Sequence, residues 1–129
     1  MNITGDKVAV NKSASEIYEK ASNPEGYKDF LPSNVSKFEA DEDGFFFAIE
    51  GMPEIGLKIK EKTPNSKVIF TSAKDSIQFD LNLLIDEVSD TESQVQIVFD
   101  GHFNPFISMM IEKPLKNFIQ TLTKGIAQM

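Results

Sequence analysis

In residues 94–126, QVQIVFDGHFNPFISMMIEKPLKNFIQTLTKGI, two hydrophobic periods meet at Asn104-Pro105. Upstream, Val95, Ile97, Phe99 and Phe103 alternate with Gln94, Gln96, Asp100 and His102, the period of two that gives a strand one dry face and one wet face. Downstream the period becomes 3.6. Asn104 can cap the orphan amides of a helix, and Pro105 suits its first position, where a missing N–H costs nothing. At 100° per residue, Met110, Ile107, Phe118, Ile111, Leu122, Leu115, Ile126 and Ile119 share an arc of about 180°, while Glu112, Lys113, Lys116, Asn117, Gln120, Thr123 and Lys124 lie mostly opposite. A long helix with half its circumference buried follows a half-buried strand. Pro114 lies inside it, deletes the hydrogen bond to the Met110 carbonyl, and predicts a kink or break.

The strand period extends upstream through some seventy residues, which predicts an antiparallel sheet. Ile77, Phe79, Leu81, Leu83 and Ile85 alternate with Gln78, Asp80 and Asn82. Asp43-Gly44 reads as a primed hairpin turn between Val35–Glu39 and Phe45–Glu50, and Thr63-Pro64-Asn65-Ser66 separates Ile55–Lys62 from Lys67–Thr71. Lys74-Asp75-Ser76 and Ser89-Asp90-Thr91-Glu92-Ser93 are further breaks. Ile3, Val8 and Val10 predict a first strand over residues 2–11. Ser13-Ala14-Ser15-Glu16 then has capping-box spacing, opening a short helix to about Ala21. Asn23-Pro24 starts a second, brief helix that must unwind by Leu31, because Pro32 disfavours helical dihedrals in the residue before it.

The chain has 129 residues, which predicts one domain over 1–129, and its 11 Phe supply ample core material. The formal charge of −7 repels phosphate backbones, so nucleic acid is not expected as a partner. Cysteine is absent and there is one His, which removes disulfides, thiolate metal sites and most imidazole constellations. Neither a basic-then-apolar leader nor an apolar run near 18 residues occurs, so a cytosolic protein without an integral membrane segment is expected.

The order strand, two short helices, six strands and one long helix resembles the START-like (Bet v 1-like, helix-grip, SRPBCC) superfamily. That superfamily includes polyketide cyclase/dehydrase-type and coenzyme Q-binding proteins. Ser15-Glu16-Ile17-Tyr18 through Asn23-Pro24-Glu25-Gly26-Tyr27-Lys28-Asp29-Phe30-Leu31-Pro32 resembles its helix–helix segment. Phe103-Asn104-Pro105 and Glu112-Lys113-Pro114-Leu115 look similar to its last crossover and helix. The resemblance implies an α+β helix-grip fold, a curved antiparallel seven-stranded sheet wrapped around the C-terminal helix, with an apolar cavity between them.

Alternation puts Phe45 or Phe46, Phe47, Ile49, Leu57, Ile59, Phe70, Phe79, Leu81, Leu83, Val95, Ile97 and Phe99 on the dry face, with no titratable residue among them. The expected function is therefore non-enzymatic binding of a hydrophobic small molecule: a lipid, isoprenoid quinone or fatty acyl chain. Tyr27, Phe30, Phe47, Ile49, Leu57, Ile59, Phe70, Phe79, Leu81, Phe99, Met110 and Phe118 are the candidate ligand-binding residues. No catalytic residue, metal ligand or cofactor is assigned.

The competing reading is a cyclase- or dehydratase-type enzyme working through Tyr27 or Glu61 at a cavity mouth. Glu61 continues the Ile55-Leu57-Ile59 register but sits among lysines near a strand end, where a solvated position is expected. His102 shares the wet side with Asp100 and Gln96, and Tyr18 is expected to pack rather than to touch a ligand. Ser13 and Ser15 are caps, and Gly51-Met52-Pro53-Glu54-Ile55-Gly56 reads as a rim loop rather than a phosphate cradle. A third reading is an interaction module with a filled interior. It would act through the basic stripe Lys58, Lys60, Lys62 and Lys67 on an acidic partner, or through Met109 and Phe46 in a homodimer. Interior volume separates the first reading from the third: below the roughly 300 Å3 typical of ligand sites, the pocket reading loses to the filled module.

Overall fold

The computed structural model describes residues 1–31, 35–49, 54–73 and 78–129, with no description of the Ile49 side chain. Pro32, half of the expected rim loop (Gly51, Met52 and Pro53), the Lys74-Asp75-Ser76 break and Ile77 lie outside the described residues. Within them the chain is α+β, an antiparallel sheet gripping a long C-terminal helix.

Ser13 opens the first helix by accepting from the Glu16 amide at 3.2 Å while its hydroxyl donates to Glu16 Oε1 at 3.1 Å. The helix, α1, spans Ala14–Ala21 and buries Ala14, Ile17 and Ala21. Asn23 then caps through the Glu25 amide, and a 3-10 helix runs over Pro24–Phe30. Its three-residue turn aligns Pro24, Tyr27 and Phe30 on one buried edge. Leu31 leaves in extended conformation, with φ −82° and ψ 153°, as Pro32 requires.

The sheet strands are β1 (Asn2–Thr4), β2 (Val8–Val10), β3 (Val35–Ala40), β4 (Gly44–Ile49), β5 (Ile55–Thr63), β6 (Lys67–Ser72), β7 (Gln78–Ser89) and β8 (Glu92–His102). Their order is β1-β8-β7-β6-β5-β4-β3, with β2 also on β8, so the sheet is open and β3 is an edge. The expected seven strands are eight because the first is interrupted. Thr4 pairs with Val98 and Val8 with Val95, which leaves Gly5, Asp6 and Lys7 facing only Ile97 and Gln96. The extra residue makes a bulge. The Gly5 amide donates to the Ile97 carbonyl at 2.8 Å, and Gln96 Nε2 donates to the Gly5 carbonyl at 3.1 Å.

One hairpin turns differently from expectation. Asp41 accepts from the amides of Asp43 and Gly44 at 2.8 and 3.0 Å, and its own amide donates to the Gly44 carbonyl at 2.9 Å. A side chain closes that turn, so no positive φ is needed at Asp43, and Asn65 is the only non-glycine with one (63°) among the described residues. Gly44 is required for proximity instead. A Cβ there would collide with the Leu57 carbonyl oxygen and lie 2.8 Å from Lys58 Cα on β5.

The long helix, α2, covers Pro105–Ala127 and runs unbroken through Pro114, so the expected break does not occur. Asn104 accepts from the Ile107 amide at 2.9 Å as its cap. Ile111, Leu115, Phe118, Ile119, Leu122 and Ile126 are buried against the sheet. The turns at Asp41–Asp43, Pro64–Ser66 and Asp90–Thr91 share one end of the sheet. At the other end β8 finishes and α2 begins, beside the starts of β3, β5 and β7.

Candidate functional site

The seam between sheet and α2 gathers residues from five elements. Phe47 (β4), Ile55 and Leu57 (β5), Phe79 and Leu81 (β7), Phe99 (β8), and Leu115 and Phe118 (α2) surround one gap. Phe47 stacks on Phe118 with centroids 4.9 Å apart, and Phe79 stacks on Phe99 at 5.2 Å. The gap measures about 10 Å3, scarcely one water molecule. Alternation along β4, β5, β7 and β8 delivers these side chains to the same face, so six of the candidate ligand-binding residues do converge. Ile55 and Leu115 were omitted from that set, although the Ile55-Leu57-Ile59 register and the helical arc both pointed to them.

Tyr27, Phe30 and Phe70 form a second cluster. Tyr27 stacks on Phe45 at 4.9 Å and meets Phe70 and Phe30 edge-on at 5.3 and 6.1 Å. This resolves the choice between neighbours on β4, for Phe45 is buried whereas Phe46 faces outward, half-buried beneath Lys37 Nζ at 5.4 Å from its centroid. The Tyr27 hydroxyl donates to the Ala21 carbonyl at 2.7 Å and is fully buried. It therefore ties the 3-10 helix to α1 and is spent on the backbone. Ile59 is half-buried at the margin of the core, and Met110, assigned to the buried arc, is 49% exposed. Met110 sits in the first turns of α2, and burial begins only at Ile111.

Burial pushes the Tyr27 phenol well above the ordinary tyrosine range, because its ionised form would lose water without gaining a cation. A raised folded value makes the contribution fully present below the unfolded value of about 10 and lost as pH climbs above it, at about 1.4 kcal/mol per pH unit. Alkaline unfolding should start above that pH, and Tyr27→Phe should remove that component. Urea midpoints at pH 8 and pH 11 test this: the substitution should cost about 1–2 kcal/mol at pH 8, from the orphaned carbonyl, and a smaller loss at pH 11.

Among the described residues, no carboxylate or imidazole reaches either cluster. Glu61 is exposed and paired with Lys67 at 2.9 Å, and His102 is exposed. Among the described residues no group of three or more His, Asp or Glu is arranged to hold a metal, and no buried side-chain N or O atom lacks a partner. The basic stripe is partly neutralised, since Lys60 pairs with Asp80 at 3.1 Å as Lys67 does with Glu61. Larger hollows exist, but mainly on the wet side of the sheet. One of about 540 Å3 lies over Phe46, Gly56 and Ala73 with Glu39, Asp41 and Asp43 around it, and one of about 320 Å3 lies over Thr71, Asp80, Asp100 and His102. Both open broadly to solvent.

A curved antiparallel sheet closed over a C-terminal helix by two short helices is the START-like fold, and solved structures match it along nearly the whole chain. A START superfamily protein from Mycobacterium smegmatis is 13% identical, with 98% of this chain and 97% of that one covered and a TM-score of 0.67. Norcoclaurine synthase from Thalictrum flavum, solved with dopamine and hydroxybenzaldehyde, is 14% identical over 99% of this chain and 84% of its own, at a TM-score of 0.71. The ZhuI aromatase/cyclase from Streptomyces sp. R1128 is 10% identical over 99% and 92%, at a TM-score of 0.73. At these identities the likeness is one of fold. No protein-family description and no curated protein sequence matches the chain.

Proposed function

We propose that the chain binds an apolar small molecule, a lipid, isoprenoid quinone or fatty acyl chain, in the seam between sheet and α2, and performs no chemistry on it. The observation that carries this reading is the seam itself: eight apolar side chains from five elements converge there without one ionisable group. The synthase solved with dopamine and hydroxybenzaldehyde, and the aromatase/cyclase, support use of this fold around small organic molecules.

A ligand of any size must part Phe47 from Phe118, and α2 has a place to yield. Pro114 has no amide hydrogen to offer the Met110 carbonyl, so the helix lacks one rung just before Leu115 and Phe118. A ligand that removes about 300 Å2 of apolar surface from water gains roughly 7–8 kcal/mol at 25 cal/mol per Å2. That exceeds the roughly 0.5–1.5 kcal/mol of a separated aromatic pair.

The same geometry favours a second reading. A gap of about 10 Å3 is far below the roughly 300 Å3 of ligand sites, so in this closed form the volume criterion goes against the carrier and for an interaction module with a filled interior, and the carrier reading requires the seam to open. Displacement of a fluorescent fatty acid, with native mass spectrometry of the gently purified protein, separates the two. The carrier reading expects one apolar molecule per chain and saturable displacement. A bare chain that leaves the probe unbound would select the filled module.

A further inference from the structure

We infer that the first turns of α2 form a docking ridge for a lipid bilayer surface, through Phe106, Met109 and Met110 with Lys113 beside them. The inference rests on the carrier reading for its purpose, and on separate observations for its geometry. Phe106 is 76% exposed, Met109 81% and Met110 49%, the largest exposures of apolar side chains on this helix. Their spacing, i, i+3, i+4 and i+7 with Lys113, puts all four on one side. The sequence alone predicted burial for Met110 and left Phe106 unassigned.

Three features favour a bilayer as the occupant. The first is charge. The first turn of α2 carries no acid, and Glu112, the first acid along the helix, is paired with Lys116 at 3.2 Å. The acids of the hairpins, Asp41, Glu42, Asp43, Asp86, Glu87 and Asp90, belong to the opposite end of the sheet, while at the ridge end Glu54 and Asp80 are paired with Lys37 and Lys60 and Asp100 is exposed. A chain of net charge −7 can thus approach headgroups with its hairpin acids held away and Lys113 near the phosphate level.

The second is area. Three side chains exposed to this degree offer roughly 300–400 Å2, so two copies facing each other would bury roughly 600–800 Å2, below the roughly 1,200 Å2 of stable interfaces. A fluid surface needs no such complement. The third is continuity with the seam. Phe103, half-buried next to the ridge, stacks on Phe99 at 6.1 Å, and Phe99 lines the gap. Gly101 allows this path, since a Cβ there would lie 2.6 Å from the Phe103 ring. An apolar molecule leaving a bilayer under the ridge would pass from lipid to Phe103 to Phe99 without crossing water.

The test is flotation with phosphatidylcholine vesicles of the wild-type chain and of the double variant Phe106→Asp, Met109→Asp. Both sites are exposed, so the variant should keep its circular dichroism and melting temperature. Wild type should float with the vesicles, and the variant should lose at least tenfold in partitioning. Equal partitioning of the two, or wild type left wholly in the vesicle-free fraction, overturns the inference. So does a wild-type dimer in light scattering that the double variant dissolves, for the ridge then belongs to a second copy. Fatty-acid displacement without vesicles keeps the two proposals apart. Probe binding without flotation sinks the ridge alone, whereas flotation without probe binding upholds the ridge and sinks the carrier.

Discussion

Phe118→Ala should lower the unfolding free energy by about 3–5 kcal/mol, the range for truncating a buried aromatic ring. Phe118 is 3% exposed and covers Phe47 from the helix side, so its loss leaves Phe47 without its stacking partner and enlarges the gap under α2. The lining of that enlarged space is apolar on every side described, so it should stay dry and accept a small aromatic guest. Urea denaturation in the absence and presence of saturating benzene or indole measures both halves of the prediction. The guest should restore part of the stability of the variant by mass action and leave the wild type almost unchanged. A destabilisation under 1 kcal/mol would mean that the helix closes over the missing ring, and that the seam is softer than its stacking implies.

The second large effect is expected at Gly44. A methyl group there meets backbone, the Leu57 carbonyl and Lys58 Cα, which cannot rotate aside as a side chain can. Gly44→Val should therefore force β4 away from β5 and cost more than the roughly 1–3 kcal/mol of ordinary overpacking. Gly56→Ala, two residues from the same contact, is the control. Its new methyl faces the Ala73 side chain at 3.1 Å and Phe46 Cβ at 3.7 Å, and a small outward shift suffices. Thermal denaturation of the two variants should separate them by more than 5 °C, about 1 kcal/mol for a domain of this size. Similar melting temperatures would show that β4 and β5 can slide apart.

The architecture was legible because each period in the sequence has one physical reading. Alternation from Phe45 to Phe103 could only bury one face, and the cap at Asn104 had to start a helix. What escaped was contact between elements. Gly44 looked like a turn residue, since Asp-Gly usually is one, but its role is set by β5, eleven residues or more downstream. The split of the first strand depends on Gly5 meeting Ile97, a pairing across most of the chain. Met110 fell on the apolar arc by angle alone, yet angle does not say how far the sheet reaches along the helix. The apolar seam was legible as a list of residues; its volume was not, because closure depends on how Phe47 and Phe118 stack.

The placement of β1 and β2 has a consequence for synthesis. Both strands pair only with β8, so residues 2–10 wait for residues 93–100 before they have any neighbour to join. The β7–β8 hairpin can zip locally as it leaves the ribosome, but the N-terminal segment, made first, is among the last pieces to be built in. A nascent chain stalled before Gln94 should thus expose its own beginning to proteases, while the full chain, with β8 paired and α2 docked, should not.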